Sequence, residues 1–194
     1  MNRKNRKTVS YSDQFIFDGA AYPVNVTKRS GIYKEMMQKI VEQLSISRNL
    51  HKRVFVVRFD LHSSNFDSNS RKVSTFRKNI IQWIERNYST KNIGFVWVRE
   101  QEKSKEQHYH LALFIDGDKI RHPKKLLEVL ADKWSYADHH NNHMPIVPSP
   151  YYFIDNESSF ANAVYRLSYL AKERGKGHRP DQAKDYSTSR LKVL

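Results

Sequence analysis

His108-Tyr109-His110 opens an apolar run, and Tyr165-Arg-Leu-Ser-Tyr169-Leu-Ala-Lys172 lies further along the chain. Both groups hold residue types that act on phosphodiesters. Alternation along a strand sends His108 and His110 to one face, where two imidazoles can grip one divalent metal. Helical spacing puts Tyr165, Tyr169 and Lys172, at i, i+4 and i+7, on one face of a helix. A metal that polarises a phosphodiester, beside a tyrosine that can attack it, is a complete nucleophilic apparatus. A phenol with its ordinary pKa of about 10 needs help near neutrality. Lys172, one turn beyond Tyr169, can ease phenolate formation or steady the charge on the phosphate.

These groups need a sheet and a helix to hold them. Ile93 to Glu100 alternates, with Val96, Val98 and Glu100 on one side and Phe95, Trp97 and Arg99 on the other. The polar stretch Glu102 to Glu106 reads as a turn, and His108 to Ile115 returns as the partner strand, closing at Asp116-Gly117. With that turn centred on Ser104, Glu100 falls opposite His108 on the same face and becomes the third ligand. A His-His-carboxylate set leaves coordination positions open for water and phosphate, the catalytic rather than the structural pattern. Asp60, ending a buried strand over Arg53 to Leu61, is a neighbour for the metal or a cap or salt-bridge residue.

Periodicity places helices over Gly31 to Ile46, along the Val73, Phe76, Ile80, Ile84 face with Asn69 or Ser70 as cap, and over Pro123 to Trp134. A short strand is expected at Tyr151 to Ile154, and the tyrosine helix over Ser158 to Glu173. On that helix Phe160, Val164, Leu167 and Ala171 form the apolar stripe, away from both phenols. The order helix, strand, helix, strand, strand, helix, strand, helix suits an α+β fold, an antiparallel sheet with helices on one face. Residues 1–30 are expected to be a basic N-terminal arm, partly flexible, and 31–194 a single catalytic domain.

Composition narrows the partners. Thirty-four Lys and Arg against 20 Asp and Glu give a formal charge of +14 over 194 residues, an excess that favours polyanions, nucleic acid above all. The chain has no cysteine, so a metal must sit on imidazole and carboxylate, which suits Mg2+ or Mn2+ as well as zinc. There is no Walker-type loop, so any strand unwinding comes from a partner. No membrane-length apolar run or signal-peptide pattern occurs, and the expected place is the cytoplasm. Asp138, His139, His140 and His143, in an Asn-rich loop, match no fixed ligand spacing and read as solvated. Arg174 to Arg179 and Ser187-Thr188-Ser189-Arg190 read as flexible phosphate contacts. Two rival functions stand beside nicking: a non-catalytic DNA- or RNA-binding regulator on the same fold, and a zinc hydrolase of small substrates. The second leaves the charge and the tyrosine pair unexplained.

The two histidines around Tyr109, with the Tyr165/Tyr169/Lys172 run, resemble the HUH endonuclease superfamily of rolling-circle replication initiators. Trp97-Val-Arg-Glu100-Gln-Glu, His108-Tyr-His-Leu-Ala-Leu-Phe and Tyr169-Leu-Ala-Lys172 are most similar to inovirus replication proteins and YfjJ-type prophage proteins, over roughly residues 53–191. The resemblance implies a ferredoxin- or RRM-like fold. It implies metal-dependent, site-specific nicking and joining of single-stranded DNA at an origin, with or without a hairpin, through a 5′-phosphotyrosine link. A bacterial host's helicase and polymerase would be the partners. Many similar proteins use one tyrosine, which favours Tyr169 as nucleophile and leaves Tyr165 as a second one or a stacking residue.

Overall fold

The computed structural model describes residues 8–101, 107–137, 142–176 and 183–193. Residues 8–33, which sequence assigns largely to the N-terminal arm, carry four strands of their own: β1 (Val9–Ser10), β2 (Gln14–Phe17), β3 (Ala20–Pro23) and β4 (Ile32–Tyr33). β1 pairs with β4, and β2 with β3. Asp18 and Gly19 both take positive φ, 50° and 77°, the two-residue turn that matches strand twist. Phe15, Tyr22 and Val24 from this region enter the core. The strongly basic first seven residues lie outside the described part.

Next along the chain come α1 (Lys34–Leu50), β5 (Val54–Ser63), α2 (Arg71–Tyr88), β6 (Gly94–Glu100), β7 (Gln107–Asp116), α3 (Lys124–Ser135), β8 (Tyr151–Ile154), α4 (Glu157–Ser168) and β9 (Tyr186–Thr188). The main sheet has the order β8-β5-β7-β6-β9, with every neighbouring pair antiparallel. Within it β5-α2-β6-β7-α3-β8 is the split βαββαβ connection of the ferredoxin-like kind, so the α+β expectation holds.

The expectation of helices on one face is corrected. α2 and α3 lie against Phe55, Val57, Phe59, Leu61, Trp97, Leu111 and Leu113, the rear face. α1 and α4 lie against Val54, Val56, Val96, Val98, Ala112 and Phe114 on the other, front face. The reason is in the strands: both alternating sets are apolar over much of their length, and an apolar sheet face must be covered. β9 is a further correction. Its Ser187-Thr188 were expected to be flexible, yet Val96 pairs with Thr188 and Val98 with Tyr186, and Ser189 Oγ donates to Gln43 Oε1 at 2.6 Å.

α4 begins with a capping box in which Asn156 Oδ1 accepts from Ser159 N and Ser159 Oγ accepts from Asn156 N. Periodicity carries this helix to Glu173. It stops at Ser168 instead and tightens into a single 3-10 turn, Tyr169–Ala171. Ser168 Oγ donates to Tyr165 O at 2.6 Å and accepts from Asn25 N at 2.8 Å, tying this end to the N-terminal segment. Lys172 is already extended, with ψ 141°, and bridges Ile32.

Candidate active site

The front face changes character along its length. On β5, Val54 and Val56 are succeeded by Arg58, Asp60 and His62; on β7, Phe114 and Ala112 give way to His110 and His108; on β6, Val96 and Val98 end in Glu100. Register then fixes neighbours: Asp60 opposes His110, His62 opposes His108, and Glu100 opposes His108 from the other side. The expected placement of Glu100 across from His108 is therefore what the hairpin adopts, although the connecting turn lies outside the described residues.

His110 is the centre of the cluster. Its Nδ1 lies 2.7 Å from Asp60 Oδ1 and its Nε2 lies 3.1 Å from Glu100 Oε2. Burial disfavours the imidazolium, but the two carboxylates outweigh it and raise the His110 pKa. Burial likewise works against the Glu100 carboxylate, yet His110 and Lys176 hold it down at about 2. Lys176 Nζ donates to Glu100 Oε1 at 2.5 Å. Asp60 is also lowered: burial opposes its charge, and His110 and then Arg58 overcome that.

His108 does not join His110 and Glu100. Its ring packs on His62, with centroids 3.8 Å apart, and His62 in turn lies 4.5 Å from His143, whose main chain it pairs with. Among the described residues, no three His, Asp or Glu side chains are arranged to hold a metal. The donors brought together are right in kind for a divalent cation, but in this arrangement His110 and Glu100 spend their polar atoms on each other, on Asp60 and on Lys176. Of the loop histidines set aside as solvated, His143 is the one described, and it faces the cluster.

Tyr169 arrives from the 3-10 turn. Its half-buried ring meets the His110 ring edge to face, with centroids 5.7 Å apart and planes at 83°. The Arg58 guanidinium stands 4.6 Å over the Tyr169 ring and Lys172 Nζ lies 5.7 Å from its centroid. Burial, then the Glu100 and Asp60 charges, raise the Tyr169 pKa, while Arg58 and Arg174 pull it back. A cleft of about 440 Å³, lined by Thr27, Ser30, Glu100, Tyr169, Lys172 and Arg174, opens beside the phenol. A larger cavity, about 620 Å³, lies between α2 and α3 and contains none of these groups.

The two tyrosines differ in setting. Tyr165 is 45% exposed on α4 and does not line the cleft, whereas Tyr169 and Lys172 do. The helix expected to carry all three ends at Ser168, and Lys172 stands beyond it on extended backbone. Gly175, at φ 73°, runs past Glu100: its carbonyl accepts from Gln101 N at 2.9 Å, and an added Cβ would stand 3.4 Å from the Glu100 side chain. Sequence reasoning missed Arg58 and His62, and it read Lys176 as a flexible phosphate contact where the structure buries it against Glu100. Strand parity with Asp60 was the available signal for the first two.

Residues 21–186 match the family model described as the YagK/YfjJ C-terminal domain. No curated protein and no solved structure matches the chain.

Proposed function

The chain belongs to the YagK/YfjJ C-terminal domain family, and we propose that it nicks and rejoins single-stranded DNA through a 5′-phosphotyrosine intermediate, as a rolling-circle replication initiator of HUH type. One observation carries the reading. Tyr169, from an element far along the chain, is set edge-on to His110, which lies between Asp60 and Glu100, beneath an arginine and beside an open cleft.

In this reading the Tyr169 phenolic oxygen bonds to phosphorus and the P–O3′ bond breaks. The phenolic proton is lost to solvent and the departing 3′-oxygen gains one. Attack by a returning 3′-hydroxyl reverses the step, and the phosphotyrosine bond conserves the energy of the cut. His108, His110 and Glu100 are the residues that would hold Mg2+ or Mn2+, which would polarise the phosphate and offset its developing charge. To take that ion, His110 has to be neutral and to give up its contact with Glu100 Oε2, while Lys176 competes for the same carboxylate. Lys172 supports charge at the phosphate, and the exposed Tyr165 suits base stacking. The formal charge of +14 favours a strand held by its backbone. A host helicase and polymerase would complete the cycle in the bacterial cytoplasm. No helix among the described residues is long and apolar enough to cross a membrane.

The closed ion-pair cluster favours one second reading, a DNA- or RNA-binding regulator on the same fold. Incubation with labelled single-stranded DNA and Mn2+, with and without chelator, separates the two on a denaturing gel. A nickase gives a covalent protein–DNA band only with metal; a regulator binds in both conditions and gives no such band in either.

A further inference from the structure

We propose that Arg58 is a further catalytic residue of this reaction, whose guanidinium holds the scissile phosphate against Tyr169. The assignment rests on Tyr169 being the nucleophile. Arg58 occupies the step on β5 where the front face turns from apolar to charged, two residues after Val56 and two before Asp60. Its backbone is fixed on both sides, opposite Ala112 on β7 and through Arg58 N donating to Pro150 O at 2.7 Å. A side chain rooted this way is pre-positioned rather than swept through solvent.

The head group lies 4.6 Å over the Tyr169 ring and its Nη2 is 3.6 Å from Asp60 Oδ2. That distance is a charge contact and not a bidentate pair, so the fork is not consumed by Asp60. The Nε–H is buried and has no hydrogen-bond partner among the described residues. On the same face Tyr152 Oη is also buried and without a partner among them, with Arg166 4.4 Å over its ring. The Nε–H is closed off, so the donors open to a ligand are the terminal Nη groups of a side chain that is 23% exposed, and a donor fork beside a nucleophile is what a phosphate's oxygens satisfy. When Tyr169 attacks, the phosphorus gains a bond to the phenolic oxygen as the bond to O3′ breaks, and charge builds on the equatorial oxygens. Arg58 donates to those oxygens and gives up no proton. Lys172, at 5.7 Å from the ring centroid, is the more distant of the two cations.

The test is single-turnover adduct formation in Mn2+ by wild type, R58A and R58K, with single-stranded DNA binding and thermal unfolding measured in parallel. R58A is expected to form adduct about 10²–10³-fold more slowly, with DNA affinity changed by only about threefold because the contact strengthens in the transition state. R58K keeps the charge but not the fork and is expected to recover no more than about a tenth of the lost rate. Added guanidinium, at concentrations that leave wild type unchanged, is expected to speed R58A, a response that a merely structural arginine would not give. Should R58A fail to fold, R58K carries the test by its own rate. Adduct formation by wild type together with an equally fast R58A or R58K overturns the assignment alone. Absence of adduct in wild type overturns the nicking reading and the assignment with it.

Discussion

The two faces of one sheet differ in what their residues are for. On the rear face Phe55, Val57, Phe59 and Leu61 of β5 and Tyr109, Leu111, Leu113 and Ile115 of β7 are almost wholly buried beneath α2 and α3, with the polar Ser63, Arg99 and Gln107 confined to one end. The front face is apolar only under α1 and α4; beyond Val56, Val98 and Ala112 it becomes arginine, carboxylates and imidazoles. Burial of charge weakens a fold unless partners compensate. The rear face therefore supplies stability, and the front face sets the charged candidate site on that support.

A pair of denaturant titrations separates the two faces. Leu111→Ala, deleting a rear-face side chain that is 1% exposed, is expected to cost about 2–5 kcal/mol. Replacing Asp60, Glu100, His110 and Lys176 together by leucine, so that no buried partner is left charged, is expected to be neutral or stabilising by up to about 4 kcal/mol, because desolvated charges are exchanged for apolar contact, while abolishing DNA adduct formation. Equal losses in both variants would erase the distinction between the faces.

A smaller effect is the pH dependence of stability, which the front face alone should confer. Glu100 is held at about 2, below its ordinary 4.5. Its contribution is thus present above pH 4.5 and lost as pH falls towards 2. His110 is shifted upward from 6.5, so its contribution is present below pH 6.5 and lost as pH rises through the raised value. Stability curves should flatten at both ends in the quadruple leucine variant and keep their shape in Leu111→Ala. Finest of all, Lys176→Met frees Glu100 from its lysine and should tighten Mn2+ binding about tenfold, the worth of one charge-assisted hydrogen bond. Calorimetry reads it directly; unchanged affinity would mean that Glu100 is not a ligand.

Much of the frame was legible. The strand over Tyr151–Ile154 and the helices seeded by Val73 and Leu126 come from local periodicity, and the Glu100–His108 pairing comes from a hairpin whose register is local. What was hidden depends on distant parts of the chain. Asp60 and His62 share parity along β5, but only the β5–β7 pairing, 50 and 46 residues apart in sequence at Asp60↔His110 and His62↔His108, brings them to the histidines. The one-face placement of Tyr165, Tyr169 and Lys172 assumed an unbroken helix, and the tie between Ser168 and Asn25 is not a periodic signal. Lys176 reaches Glu100 through a turn at Gly175 that no spacing rule announces.

In the proposed reaction Tyr169, and not Tyr165, attacks the phosphate. Wild type, Tyr165→Phe and Tyr169→Phe incubated with labelled single-stranded DNA and Mn2+, then denatured and resolved on a gel, test it most directly. A covalent band is expected in wild type and Tyr165→Phe and not in Tyr169→Phe, while that variant still binds DNA. A band that persists in Tyr169→Phe would contradict it.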